Sequence, residues 1–317
     1  MEREVWLAYP RGFCAGVDRA IDVVEKALLL YGVPLYVHHE IVHNRHVVEN
    51  LRQKGVVFVD DLDEVPEGET VIFSAHGVAP VVWEKARERN LRVIDATCPL
   101  VTKVHMEAKR YAKAGYHIIL IGHKNHVEAR GTQGEAPSQI TIVENSEEVE
   151  KLPFTEKDKL AYLTQTTLSV EETSELIEKL RQKFPQIEGP NSSDICYATT
   201  NRQQAVAHIA PHVQLMLVIG SQNSSNSNRL KEVAERWKVK SYLIDGEEDL
   251  KAQWFTPEVY RVGLTAGASA PEILVNRVLE RLNKDFGFCR VREIRLKEEN
   301  VVFQLPRNLR EELEKLA

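Results

Sequence analysis

The 317-residue sequence has no run of 18 apolar residues, no C-x-x-C pair, no G-x-G-x-x-G and no G-x-x-x-x-G-K-[S/T]. Without the first, no helix is expected to span a bilayer. Four cysteines scattered at 14, 98, 196 and 289 make neither a disulfide framework nor a zinc ribbon. Without the glycine fingerprints, nicotinamide binding and P-loop chemistry have no support. Positive charge is also short, with 41 Lys and Arg against 47 Asp and Glu and a net charge of −6. With no interleaving of basic and aromatic residues, a nucleic-acid partner is not expected. A local phosphate site stays open, because a helix N-terminus or a few histidines hold an anion without a basic surface. The opening MEREVWLAYP carries charges and no long apolar stretch, so no signal peptide and a cytoplasmic location are expected.

What is present is a repeat. Apolar residues at 43% and charged residues at 28% are ordinary for a globular protein, and the length favours two or three sub-domains. Three stretches run into an amphipathic helix through a cysteine: VWLAYPRGFCAGVDRAIDVVEKAL (Cys14), LRVIDATCPLVTKVHMEAKRYAK (Cys98) and SSDICYATTNRQQAVAHI (Cys196), the last with a weaker preceding strand. At near-constant spacing follow apolar strands ending in polar knots: LYVHHEIVHN, HIILIGHKNHVE and LMLVIGSQNSSN. Strands with acidic ends come next, then TVIFSAHGVAP, LAYLTQTTLS and YRVGLTAGASAP, and a helical pattern closes each unit.

Strands alternating with helices predict α/β units with parallel sheets. The expected units are 14–98, 99–195 and 196–283 together with 1–13, related by approximate threefold symmetry, with 284–317 as a docked tail. Cys289 lies off the pattern and is expected to be buried in that tail. Ligands collect beyond the carboxyl ends of such strands. Three equivalent ends facing one axis would bring three thiols to one point.

Each of these cysteines is predicted at a helix N-terminus, where the dipole favours the thiolate that binds metal. Three thiolates suit a catalytic zinc with an open position or an iron–sulfur cluster with one iron free. GHKNHVEARGTQGE offers His123, His126, Glu128 and Thr132; read as an extended segment, it projects His126 and Glu128 to one side, as a proton donor beside an anion requires. Ser224, Ser225 and Asn226 precede a helix predicted from NRLKEVAERW, Ser269 precedes another, and His76 holds the corresponding place in SAHGVAP. Hydroxyls and amides at helix N-termini make phosphate-sized sites.

The stretch His39-Glu40-Ile41-Val42-His43 spells HExxH, a zinc-hydrolase signature that works only on a helix, where residues four apart stand ~6 Å apart along the axis. The β-branched and aromatic flanks after Gly-Val-Pro predict a strand instead, along which four residues cover roughly 13 Å. Zinc hydrolysis is therefore not expected.

PRGFCAGVDRAI, HEIVHNRHVV, FSAHGV, DATCPLVTKVH, TQTTLS, DICYATTNRQ, GSQNSSNSNRL and TAGASAP together resemble the 4-hydroxy-3-methylbut-2-enyl diphosphate reductase family, over about residues 4–306. The resemblance implies a cloverleaf of three α/β domains around a central iron–sulfur cluster. It implies one 4Fe–4S cluster held by Cys14, Cys98 and Cys196, with one iron open to the substrate hydroxyl. It assigns the diphosphate to His43, His76, His126, Ser224, Ser225, Asn226 and Ser269, proton supply to Glu128 and hydroxyl orientation to Thr166, with Thr167 adjacent. The implied reaction is a two-electron, two-proton reductive dehydroxylation giving isopentenyl and dimethylallyl diphosphate, fed by reduced flavodoxin or ferredoxin in a monomer. The alternative is an iron–sulfur electron carrier or redox sensor, which would need the cysteines but no dense His/Ser/Asn anion site. One departure stands out: many members read His-Pro-Glu where this chain has His126-Val127-Glu128.

Overall fold

The computed structural model describes residues 2–315. Its strands in chain order are β1 (Glu4–Tyr9), β2 (Leu35–His38), β3 (Val56–Val59), β4 (Thr70–Phe73), β5 (Arg92–Asp95), β6 (His117–Ile121), β7 (Ile140–Val143), β8 (Leu160–Thr164), β9 (Leu215–Ile219), β10 (Lys240–Ile244), β11 (Arg261–Ala266) and β12 (Arg290–Arg295). They form three small sheets, ordered β10-β9-β11-β1-β12, β3-β2-β4-β5 and β7-β6-β8. The strand pairings are parallel throughout. The chain is thus α/β, as the alternation of patterns implied. TVIF, LAYLT and LMLVI in β4, β8 and β9 are buried along their whole length, as strands covered on both faces by crossover helices must be.

The sequence repeat becomes a repeat of strand order. The first strand after each cysteine helix (β2, β6, β9) lies inside its sheet, with the second on one side (β3, β7, β10) and the third on the other (β4, β8, β11). Next to the third comes the strand leading into a cysteine: β5 before Cys98 and, from the far end of the chain, β1 before Cys14. Ahead of Cys196 only an isolated parallel bridge, Ala161 to Glu188, holds that place. The weak strand signal there has this physical form.

The described chain packs as two compact units, one of residues 2–17, 43–50 and 197–302, the other of 18–42, 51–196 and 303–315. The five-stranded sheet belongs to the first unit and the other two sheets to the second. In the five-stranded sheet, Leu215, Leu217 and Ile219 pack on one face with Val5, Leu264 and Val278, and Met216 and Val218 on the other with Val206 and Leu230. Each such side chain contributes roughly 1.5–3 kcal/mol by leaving water, and the alternation fixes the register.

The segment expected as a docked tail does more than dock. It supplies β12, whose sequence RVREIR is almost wholly exposed at the sheet edge, where charge discourages further pairing. Cys289, expected to be buried, is exposed just before that edge strand, its Sγ 4.0 Å from Glu2 Oε1. Among the described residues, no helix is long and apolar enough to cross a membrane.

Candidate active site

Cys14 directly precedes the helix Ala15–Tyr31, Cys98 caps Pro99–Lys113, and Cys196 directly precedes Tyr197–Ile209. All three are half-buried, and none of the four cysteines is in a disulfide. Their backbone N–H groups are held alike. Cys14 donates to Ala268 O (3.3 Å), Cys98 to Ala75 O (2.9 Å) and Cys196 to Thr166 O (3.0 Å). Each acceptor lies two residues beyond the third strand of a repeat, so the same local geometry presents each thiol. Cys14 belongs to the first unit, Cys98 and Cys196 to the second. Among the described residues, no three or more His, Cys, Asp or Glu are grouped to hold a single metal ion.

In the second unit the decisive group is Glu128, which is 3% exposed. Its Oε1 accepts from the Thr166 N–H (2.6 Å) and its Oε2 from Thr166 Oγ1 (3.0 Å). Burial pushes this carboxyl up to about 7, against the two Thr166 hydrogen bonds and the nearby His105, while Asp194 adds to the rise. A carboxyl poised there can hold a proton and release it near neutral pH. The Thr166 carbonyl also accepts from Cys196, so one residue ties the acid to the cysteine segment.

His126 is the N-cap of the helix Val127–Gln133, its Nδ1 accepting from the Glu128 N–H at 3.2 Å. Nδ1 is therefore the unprotonated nitrogen, and Nε2 carries the hydrogen as a donor. The His76 ring stands edge-on to the His126 ring at 5.8 Å, with Ser74 Oγ 3.2 Å from its Nδ1. The Thr167 hydroxyl accepts from the Gln165 amide (3.1 Å). Two expectations need correction here. His126 itself is extended as the N-cap, but Val127 and Glu128 already belong to the helix, so His126 and Glu128 are related by a cap hydrogen bond and not by strand alternation. Val127 is the first helical residue, the place where a helix accepts proline.

In the first unit the helix starts at Ser225, three residues earlier than the sequence pattern indicated, and runs to Arg236. Ser224 is its N-cap, its Oγ accepting from the Ser227 N–H (3.3 Å) and Ser227 Oγ (3.0 Å). Gly220 and Gly267, at the ends of β9 and β11, permit this, since a Cβ on either would stand 2.1 Å from Ser227 Oγ. Asn226, 5% exposed, has neither amide atom hydrogen-bonded among the described residues. Ser269 Oγ donates to the His43 carbonyl (2.9 Å), and His43 Nδ1 lies 3.4 Å from the Asn223 amide. A 12-residue helix whose first turn holds an unsatisfied amide and two hydroxyls has the donors that an anion needs.

The HExxH stretch is not helical, as expected, but it is not a strand either. β2 ends at His38, His39 takes φ 61° opposite Asp60 (Nδ1 to Oδ1, 3.1 Å), and residues 39–44 turn into the helix Arg45–Gln53. His39 falls in the second unit and His43 in the first.

Comparison with known proteins decides the family. The model of the "LytB protein" family matches residues 5–283. The chain belongs to the LytB family. Over 309 residues it is 55% identical to the 4-hydroxy-3-methylbut-2-enyl diphosphate reductase of Actinobacillus pleuropneumoniae serotype 3 (strain JL03), covering 96% of this chain and 98% of that one. It is 53% identical over 310 residues to the reductase of that name from Haemophilus influenzae (strain PittEE), with 97% and 98% covered. The solved E-1-hydroxy-2-methyl-but-2-enyl-4-diphosphate reductase of Plasmodium falciparum matches at a TM-score of 0.97 and 42% identity, over 100% of this chain and 99% of that one. A second solved structure, described as the terminal enzyme of the non-mevalonate pathway, matches at 0.63 and 34% identity, over 89% of this chain and 99% of that one. LytB membership implies an iron–sulfur cofactor.

Sequence reasoning missed two buried polar residues of this LytB chain, His105 and Arg202. His105 is buried, its Nδ1 2.7 Å from Glu135 Oε1 and its Nε2 without a partner among the described residues. It shares the buried helix face of Val101, Val104 and Ala108, and a histidine on an apolar stripe was the available signal. Arg202, whose side chain is fully buried, gave no signal because it sits in a helix with little amphipathic pattern.

Proposed function

We propose that this chain is a 4-hydroxy-3-methylbut-2-enyl diphosphate reductase, an oxidoreductase that removes the allylic hydroxyl of its substrate in the last step of the methylerythritol phosphate route. Substrate, two electrons and two protons give isopentenyl or dimethylallyl diphosphate and water. The observation that carries this reading is Glu128: a buried, protonable carboxyl bonded at both oxygens to Thr166, in a chain 55% identical to reductases of that name.

The roles follow from each residue's surroundings. His126, with its hydrogen on Nε2, and His76 beside it are proposed donors to the diphosphate from the second unit. Ser224, Ser225 and Asn226 at the helix start, with His43 and Ser269, are proposed donors from the first. Thr166 orients the departing hydroxyl, Thr167 lies adjacent, and Glu128 supplies a proton as the C–O bond breaks. The Glu128 position favours this because its carboxyl is hydrogen-bonded yet held near neutral pKa, so the proton is present before reaction and can leave during it.

Cys14, Cys98 and Cys196 would hold one 4Fe–4S cluster. The donor set fits such a group: three half-buried thiols, each at a helix start. When bound, the cluster would relay the donor's electrons, one at a time, to the substrate and would supply Lewis acidity toward its hydroxyl. Reduced flavodoxin or ferredoxin as donor, a cytoplasmic location and a monomeric enzyme complete the proposal. An electron carrier would have no use for an unsatisfied amide at Asn226 or a protonable carboxyl at Glu128.

The test is anaerobic. Holoenzyme supplied with reduced viologen and the diphosphate substrate should release both isomeric products with one water per two electrons. Full cluster loading with no product would remove the reductase reading and leave the carrier.

A further inference from the structure

The tail carries one residue whose surroundings no role so far explains. Glu299 accepts from Arg202 Nη1 at 3.1 and 3.2 Å and from Asn201 Nδ2 at 2.8 Å. The Arg202 side chain is 1% exposed, and Glu299 forms a salt bridge with it at 3.1 Å. The rest of the guanidinium is directed at the Cys14 loop. Nε donates to Gly12 O (3.1 Å), and Nη2 to Gly12 O (2.7 Å) and Phe13 O (3.1 Å). Nη1 also reaches Ala198 O at 3.1 Å, so all five N–H donors are taken.

The N–H groups of the same loop are fixed from other directions. Gly12 donates to Ala266 O (3.0 Å), Cys14 to Ala268 O (3.3 Å), and Ala15 to Tyr197 Oη (3.2 Å). Gly12 adopts φ 64°, a conformation that costs other residues strain, so the loop would not hold this shape by propensity alone. Thus the backbone from Gly12 to Ala15 is tied at the Gly12 and Phe13 carbonyls by Arg202, and at its amides by the last residue of β11, by Ala268 beyond it and by Tyr197. A buried arginine is tolerated only with a partner anion, and the C-terminal tail provides it.

We infer that Arg202, neutralised by Glu299, is a positioning residue that holds the Cys14 loop rigid for cofactor capture, and that the tail is therefore part of the cluster-holding apparatus. The inference rests on Cys14 being a cluster ligand. Residues that fix ligands without touching the metal characteristically account for a 10–100-fold difference in its retention.

The experiment measures iron loss from anaerobically purified, full-length holoprotein to the ferrous chelator ferrozine. Glu299→Gln should lose iron about tenfold faster than the parent, and Glu299→Asp should recover part of the difference. Should Glu299→Gln fail to fold around an unpaired arginine, the charge-neutral double variant Arg202→Gln with Glu299→Gln reads the same quantity. Val206→Ala, in the core side of the same helix, is the control for lowered stability and should release iron at the parental rate. Iron retained at the parental rate by both Glu299→Gln and the double variant overturns the inference. So does equal acceleration by Val206→Ala. A Cys14→Ser chain that keeps its iron removes the ligand assignment and this inference with it; one that loses iron while the Glu299 variants keep theirs removes the inference alone.

Discussion

Two helix starts in this molecule are built to one plan and hydrogen-bonded oppositely. Val127–Gln133 and Ser225–Arg236 each follow the first strand of a repeat, and a side chain caps each from the preceding residue, His126 in one and Ser224 in the other. In both, the second helical residue is buried: Glu128 at 3% exposure and Asn226 at 5%. Glu128 has both oxygens bonded within its own unit, whereas Asn226 has neither amide atom bonded among the described residues. An unmet buried amide costs about 1–3 kcal/mol. Under the proposed function the difference separates two kinds of work: Glu128 would handle a proton, and Asn226 would be completed by the bound substrate.

Breaking the first member has the largest expected effect. Glu128→Gln preserves shape and can still accept from the Thr166 N–H, but it has no acidic proton to give. Turnover should fall by about 10²–10⁴-fold, while substrate affinity measured by equilibrium titration stays near the parental value. In the parent, the rate should decline as pH rises through about 7, because the protonated carboxyl is the competent form. Thr166→Val removes one hydrogen bond that favours the carboxylate, so the pH–rate inflection should move upward. The linkage to stability has the same origin. Between the ordinary 4.5 and about 7 the folded state keeps a proton that the unfolded chain has lost, so this group's contribution to stability declines as pH rises across that window. An inflection that ignores Thr166→Val would assign the titration to another group.

The contrast between these two residues was only partly legible in the sequence. The strands and their repeat followed from apolar runs at regular spacing, because a buried parallel strand has few other ways to be written; their order within each sheet did not. The cysteine-to-helix junctions were equally plain, since Pro99 and the amphipathic patterns mark helix starts locally. What misled at 126–128 was short-range: three residues after a strand look extended until a cap hydrogen bond, invisible in composition, turns them into a helix. The same limit hid the turn at His39, whose φ of 61° no side-chain pattern announces. Arg202 was unreadable for a different reason. Its partners, Gly12 and Glu299, lie far away along the chain at either end, and no periodicity links them.

Sharpening the second member of the pair needs a variant that satisfies burial without offering hydrogen bonds. Asn226→Leu replaces an unmet amide by an apolar group of similar size. Urea unfolding should show stability unchanged or raised by about 1 kcal/mol. Substrate binding should weaken by roughly tenfold, the equivalent of ~1.4 kcal/mol for one lost hydrogen bond to a charged group. Lower stability with normal substrate binding would make Asn226 a structural residue and end the contrast with Glu128.

The smallest effect tests whether the two helix starts differ in rigidity as well as in bonding. Val127 is the first helical residue after the cap, where a backbone N–H has no partner within the helix and proline's fixed φ suits the turn. His126, at φ −79° and ψ 135°, already has the extended backbone that a residue before proline must adopt. Val127→Pro should therefore fit without moving the His126 ring or the Glu128 carboxyl. By narrowing the unfolded ensemble it should add about 0.4–1 kcal/mol, seen as a thermal midpoint raised by about 2 °C, with turnover unchanged. A lower midpoint would mean that the half-buried valine side chain, which lines a shallow cavity with Val78 and Val82, contributes more through packing than proline returns through entropy. A higher midpoint with reduced turnover would mean that the helix start bearing Glu128 has to move during the reaction.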